Sequence, residues 1–135
     1  MRVQPVRLGP RADLRAALEA LLREYDVGAA FVLQGIGSLS VAQLRLAGMA
    51  QPLALRADLE ILTLAGSLSL DGAHLHMTVA DAQGRVSGGH VCPGCIVRTT
   101  AEVLVALLPG HRFTREDDAA TGFKELGIKA LDAQS

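Results

Sequence analysis

The stretch HLHMTVADAQGRVSGGHVCPGC, residues 74–95, contains three of the four histidines and both cysteines of the chain. Side chains on a β-strand alternate between the two faces of a sheet. His74 and His76 therefore share one face, and Leu75 and Met77 share the other. This alternation predicts a half-buried strand that carries two imidazoles on one side.

The segment Asp81-Ala82-Gln83-Gly84 predicts the turn after this strand. A two-residue loop would need positive φ at Ala82 and Gln83, which neither residue favours. A three-residue loop needs one left-handed residue after a type I turn, and Gly84 suits that position. We therefore expect Asp81 to pair with Arg85.

This register places His76 directly opposite His90, and His74 opposite Cys92. Directly paired residues point to the same face with Cβ atoms about 5 Å apart, so three imidazoles would converge. A slip of one residue would send His90 to the opposite face. A bulge at residues 88–89, which are both glycine, is the other way to disturb the register.

Imidazole nitrogen is a common zinc ligand, in open sites with three protein ligands and in closed sites with four. His74, His76 and His90 are therefore predicted to bind a divalent metal ion. Zinc is favoured only weakly over other transition metals, because imidazole binds them all. Histidines that merely lie on a surface or pack in a core are the alternative interpretation.

The motif Cys92-Pro93-Gly94-Cys95 allows three interpretations. A structural zinc knuckle lacks a second cysteine pair, and a thioredoxin-like redox pair lacks its βαβ context. A turn with two incidental thiols is favoured. Cys92 as an accessory metal ligand is a minority interpretation, which requires it to share the face of His74.

The length of 135 residues predicts a single domain, residues 1–135, with a sizeable core. Half of the residues are hydrophobic but only 3% are aromatic, so the core should be aliphatic. This apolar composition is compatible with a buried oligomer interface. A formal net charge of −1 argues against sequence-independent binding to nucleic acid.

The chain has no apolar run of the roughly 18 residues that a membrane span needs. Its first residues lack the apolar region of a signal peptide. We therefore expect a cytoplasmic protein with reduced cysteines and no membrane partner.

Apolar residues at i, i+3, i+4 and i+7 predict an amphipathic helix over residues 13–25. Arg11, Arg15, Glu19 and Arg23 follow i, i+4 spacing on its outer face, which predicts a solvated ladder of charges. The alternative interpretation is that this helix faces DNA. Alternating or apolar runs predict strands at residues 2–8, 29–34, 39–46, 53–55, 58–69 and 113–116.

Several segments carry weaker signals. The Gly35-Ile36-Gly37-Ser38 segment predicts a tight turn or a close backbone contact, because it lacks the third glycine of a dinucleotide fingerprint. A break is expected at Gly66. Residues 96–108 combine a capping-box pattern with many β-branched residues, so helix and strand remain open. Residues 121–131 predict at most a short turn of helix.

Glu60 is unusual among the apolar residues Leu59, Ile61 and Leu62. A buried carboxylate there would need a partner. It would serve as an acceptor for a ligand histidine, as the partner of an arginine, or as a general base. An exposed strand residue is the alternative.

Four segments together resemble the plants-and-prokaryotes-conserved (PPC) domain. They are GIGSLSVAQLR (35–45), LEILTLAGSLS (59–69), HLHMTVADAQGRVSGGHV (74–91) and GCIVRTTAEVLV (94–105), and FTREDDAATGFKELGI (113–128) fits the usual end of that domain. The resemblance implies an α/β (α+β) fold, with a mostly antiparallel sheet, one main helix packed on it, and assembly as a homotrimer. It also favours a strand over residues 99–107.

In prokaryotic members, the histidines that match His74, His76 and His90 are metal ligands, commonly taken to bind zinc. Plant members attach AT-hook segments that insert into DNA, but this sequence contains no Arg-Gly-Arg-Pro hook. Three functions therefore stay open: a trimeric metal-binding domain, a DNA-associated protein, and a zinc enzyme with metal-activated water. The enzyme would use Glu60 or Glu102 as general base. The sequence names neither a catalytic residue nor a substrate.

Overall fold

The computed structural model describes residues 1–132, which form eight strands and two short helices. The elements in chain order are β1 (Arg2–Leu8), α1 (Leu14–Glu19), α2 (Leu21–Glu24), β2 (Ala29–Arg45), β3 (Leu53–Ser69), β4 (Gly72–Ala80), β5 (Val86–Val91), β6 (Ile96–Leu107), β7 (His111–Asp117) and β8 (Lys124–Ala130). Neither helix has the length or apolar character that a membrane crossing requires.

One antiparallel sheet of six strands, in the order β1-β6-β2-β3-β4-β5, makes up most of the fold. At the end of β2, Leu44 and Arg45 also pair with Val91 and His90 of β5. The sheet therefore curls until its last strand returns to β2. Strands β7 and β8 form a separate two-stranded hairpin.

The predicted α/β (α+β) class with one main helix is wrong, because the fold is dominated by β-strands. The helix expected over residues 13–25 consists of six residues in α1 and four in α2, separated at Ala20. Its predicted start is correct, because the Asp13 carboxylate caps α1 by accepting a hydrogen bond from the Ala16 amide at 3.0 Å. Apolar periodicity located the buried side of this segment. This periodicity did not show how much of the core the sheet would enclose without the helical segment.

The predicted interruptions in the sheet are also wrong, because β2 and β3 each continue for 17 residues. Gly37 and Gly66 lie inside these strands at φ of 149° and 150°. A Cβ atom at Gly37 would overlap the carbonyl of Thr100, and one at Gly66 would overlap the carbonyl of His74. These glycines therefore allow close approach between neighbouring strands, as the alternative interpretation of the Gly35–Ser38 segment expected.

The two ambiguous segments near the C-terminus are both strands. Residues 96–107 form β6, which pairs with β1 and β2, so the strand interpretation of this segment is confirmed. The short helical turn expected within residues 121–131 is wrong. A left-handed Gly122, at φ 78°, precedes β8, which pairs along its whole length with β7.

The core is aliphatic, as the composition predicted. Leu14 and Leu18 of α1 pack against the inner face of the curled sheet and are fully buried, as are Leu44 of β2, Leu64 of β3 and Leu75 of β4. The sheet thus buries every second residue of β4, and the residues between them, including both histidines of that strand, face outward.

Candidate metal centre

The hairpin of β4 and β5 has the predicted turn. Gly84 lies at φ 77°, its amide donates to the Asp81 carbonyl at 2.9 Å, and the Asp81 amide donates to the Arg85 carbonyl at 3.0 Å. The Asp81 carboxylate accepts from the amides of Gln83 and Arg85, at 2.9 Å each. The register that depends on Gly84 is therefore confirmed.

This register places His76 directly opposite His90. The ring centroids of His74 and His76 lie 4.9 Å apart, those of His74 and His90 5.4 Å, and those of His76 and His90 5.9 Å. One ring nitrogen from each histidine lies within 4.8 Å of the other two. The three candidate ligands are thus gathered on one side of the hairpin.

The cysteine motif does not join this group. Strand β5 ends at Val91, and the Cys92 amide donates to the Gln43 carbonyl at 3.0 Å, so the expected pairing of His74 with Cys92 is absent. Cys95 is fully buried in the core, and burial raises the pKa of its thiol to about 11. A thiol with that pKa is protonated at neutral pH and a poor nucleophile.

Burial and neighbouring arginines favour the neutral imidazole at His90 and at His74. Burial, followed by the charges of Arg45 and Arg15, lowers the pKa of His90 to about 4. Burial and the nearby Arg115 also lower the pKa of His74. A neutral imidazole offers a ring lone pair, which is the form that binds metal ions.

The distances suit a metal ion after a small contraction. Three nitrogen atoms bound to zinc at 2.0–2.1 Å in a tetrahedral site lie about 3.4 Å apart. The nitrogens here are separated by up to 4.8 Å, so each ring needs to move inward by roughly 1 Å or less. The donor set, three imidazoles, is one that zinc accepts in open sites.

Three arginines surround the histidines, and the sequence patterns did not indicate this. Arg15 Nη1 lies 3.3 Å from His90 Nε2 and donates to the Val91 carbonyl at 2.8 Å. Arg45 is the cross-strand partner of His90, and Arg115 lies close enough to His74 to lower its pKa. Arg45 could be assigned to the site only from the pairing of β2 with β5, and no local sequence pattern reveals that pairing.

The prediction of a solvated ladder of charges on the first helix is therefore wrong for Arg15 and Glu19. The side chains of Arg15 and Glu19 are only 18% and 33% exposed and form an ion pair at 3.3 Å. Glu19 also accepts a hydrogen bond from the Ala73 amide at 3.1 Å. Sequence periodicity placed these residues away from the core, but the end of the hairpin covers them.

The candidate general bases lie elsewhere. Glu60 is exposed and pairs with Ala80, four residues along β4 from His76, which corresponds to about 13 Å. Glu102 lies on β6 opposite Ile36. Both carboxylates line a groove of about 550 Å³ that is separate from the histidines. The exposed-residue interpretation of Glu60 is confirmed.

A model of the Plants and Prokaryotes Conserved (PCC) domain matches residues 1–109. The chain belongs to this family. It is 51% identical, over 131 residues, to the bifunctional protein GlmU of Synechococcus sp. strain JA-3-3Ab. That match covers 97% of the chain but only 21% of the relative, so this PCC domain spans about a fifth of the curated relative.

Solved structures support the same assignment. A hypothetical protein from Salmonella cholerae-suis is similar, with a TM-score of 0.91, 37% identity and coverage of 96% of this chain and 94% of that one. The metal-containing protein AF0104 from Archaeoglobus fulgidus gives a TM-score of 0.78 and 26% identity, covering 98% and 94%. A candidate DNA-binding protein from Ralstonia eutropha JMP134 gives 0.79 and 25%, covering 93% and 90%.

Proposed function

We propose that this PCC domain binds one divalent metal ion, zinc, through His74, His76 and His90. The observation that carries the proposal is the gathering of three imidazole nitrogens within 4.8 Å of one another on one hairpin. The low pKa of His90 supports it, because the ring need not lose a proton at neutral pH to bind the ion. The description of the Archaeoglobus relative as metal-containing supports it as well.

Three protein ligands leave one position of a tetrahedral zinc ion open to water or to an external ligand. When bound, such an ion supplies a Lewis acid at that position. The zinc-enzyme interpretation has weaker support, because Glu60 and Glu102 line a different groove. We therefore favour a binding or regulatory role for the site.

The test is a zinc titration of metal-free protein, with bound metal measured by elemental analysis. We expect one zinc ion per chain, and we expect His76→Ala and His90→Ala each to lower the affinity at least about 100-fold. His111→Ala is the matched control, because His111 is an exposed histidine of β7 outside the cluster. Unchanged metal content in both cluster variants would remove the proposal.

We further propose that the domain assembles as a homotrimer, the state that the family resemblance implies. An apolar surface supports self-association: Pro5, Ile36, Leu62 and Leu104 are exposed on the outer face of adjacent strands. Pro5, Ile36 and Leu104 line one groove of about 580 Å³, and Ile36 continues it towards Leu62. Contiguous apolar surface of this kind marks protein interfaces.

Light scattering after size-exclusion chromatography tests this state. We expect a mass three times the 14.1 kDa of one chain. Leu104→Glu, which places a charge in the apolar surface, should yield monomers, whereas Met49→Glu in the turn after β2 should not. A wild-type species of 14.1 kDa would contradict the homotrimer.

DNA binding is the second candidate function, favoured by the name of the Ralstonia relative. The formal net charge of −1 weighs against it, because affinity for duplex DNA depends on neutralising phosphates. A gel shift with duplex DNA at low salt distinguishes the two functions. A salt-dependent shift would favour DNA binding, and the absence of any shift would dismiss it.

A further inference from the structure

We propose that the open side of the histidine cluster binds a small oxyanion, a carboxylate or a phosphate, between the metal ion and the guanidinium groups of Arg45 and Arg115. This inference rests on the proposed function, because the anion would take the fourth position of the ion held by His74, His76 and His90. It names the class of ligand that this position accepts.

Arg45 is held at one edge of the cluster by the sheet itself. It is the direct partner of His90 where β2 meets β5, and paired residues point to the same face with Cβ atoms about 5 Å apart. Arg45 is exposed, and none of the four ion pairs within residues 1–131 includes it. Its guanidinium is therefore available to an external ligand beside His90.

Arg115 lies on β7, which is anchored to the turn three residues before His74, and its charge lowers the pKa of that imidazole. Its amide donates to the Asp71 carboxylate at 3.0 Å, and its Nη2 donates to the Lys124 carbonyl at 2.7 Å. The first bond anchors β7 against the turn before β4, and the second ties the guanidinium to β8. Arginine carries five N–H donors, so four remain after the bond to Lys124.

Arg15 has a different role from Arg45 and Arg115. It forms an ion pair with Glu19 and donates to the Val91 carbonyl, so its charge is offset and its geometry is held within the protein. It supports His90 rather than an external ligand.

The remaining charges around the cluster favour an anion. The charge of Arg45 lowers the pKa of His90, and the charge of Arg115 lowers the pKa of His74. Glu125 is the carboxylate whose charge raises the pKa of His74. With Arg15 paired to Glu19, two positive charges and one negative charge remain near the site. A divalent ion would add two more positive charges. Neutral imidazole ligands offset none of this charge.

The chemistry of these groups selects an oxyanion. Guanidinium groups bind carboxylate and phosphate through paired N–H donors, with a geometry that a halide or a neutral amide does not match. Zinc also accepts carboxylate oxygen as a ligand at about 2.0–2.2 Å. An oxyanion can therefore contact the ion with one oxygen and an arginine with another.

The test uses protein in which cobalt(II) replaces zinc, because its visible spectrum reports the coordination shell. Acetate and inorganic phosphate are titrated in separate arms, with acetamide as the neutral control and chloride as the control for a simple anion. We expect acetate or phosphate to change the spectrum saturably, and the arm with the lower dissociation constant identifies the class of anion. Acetamide and chloride should leave the spectrum nearly unchanged.

Variants then assign the arginines. Arg45→Gln and Arg115→Gln should each raise the dissociation constant of the anion by about tenfold or more and change cobalt affinity little. Arg45→Lys should recover only part of the loss, because lysine lacks the paired donors. Arg98→Gln is the matched control, since Arg98 pairs with Asp58 on a different part of the sheet.

The outcomes separate this inference from the proposed function. If cobalt fails to bind, the metal site itself is absent. If cobalt binds but neither anion changes the spectrum, the metal site stands and the oxyanion inference falls. The inference also falls if the glutamine variants bind anion as wild type does, or if only duplex DNA, and neither small anion, alters the spectrum.

Discussion

Replacing Gly66 by alanine is expected to lower the free energy of unfolding by about 3 kcal/mol or more, or to prevent folding. Gly66 of β3 is at φ 150° and faces Leu75 of β4. An added Cβ atom would overlap the carbonyl of His74 and lie 2.8 Å from the Cα atom of Leu75. Both are backbone atoms, so neither can move aside without separating the two strands.

Urea denaturation followed by circular dichroism measures this effect, and two control variants divide it into its causes. Gly110→Ala adds a Cβ atom in open space and should change stability by less than about 0.5 kcal/mol. Gly48→Ala also meets open space but lies at φ 75°, so it should report backbone strain alone, about 1 kcal/mol. A Gly66→Ala protein as stable as the Gly110→Ala protein would contradict the close approach of β3 and β4.

Replacing Leu75 by alanine is expected to cost about 2–5 kcal/mol of unfolding free energy, because it leaves a cavity in the core. Leu75 is fully buried, directly between His74 and His76 in the sequence. Loss of its packing should also loosen β4 and weaken metal binding by the two histidines, although Leu75 itself faces away from them.

The same denaturation experiment, combined with the zinc titration, checks both effects. Leu70→Ala is the matched control, because Leu70 is 57% exposed in the turn just before β4 and its loss should change stability by no more than about 0.5 kcal/mol. Equal stability of the Leu75→Ala and Leu70→Ala proteins would show that β4 does not depend on this contact.

Local patterns were sufficient for the hairpin at the centre of the site. Alternation placed His74 and His76 on one face, and the demand for a left-handed residue at Gly84 selected the register that brings His90 opposite His76. Both signals act over a few residues, where backbone geometry leaves few options. The predicted gathering of three imidazoles therefore depended on nothing distant in the chain.

Patterns were insufficient where a segment derives its structure from a distant partner. Gly66 was expected to break its strand, and a tight turn was one of the two interpretations of the segment at Gly37. Each glycine instead continues a strand, because the neighbouring backbone lies where a side chain would be. The segment after Gly122 shows the same limit, since β8 exists through its pairing with β7. The strand propensity of such segments is set mainly by their neighbours.

The sequence by itself determined the turn at Gly84, the face shared by the histidines of β4 and the aliphatic character of the core. Only the tertiary structure decided the β-dominated class and the return of β5 to the end of β2. That return pairs Arg45 with His90, and the packing of α1 brings Arg15 to the same ring. The physical reason is range: a turn depends on adjacent dihedral angles, whereas these arginines approach the histidines only after strands far apart in the chain have paired.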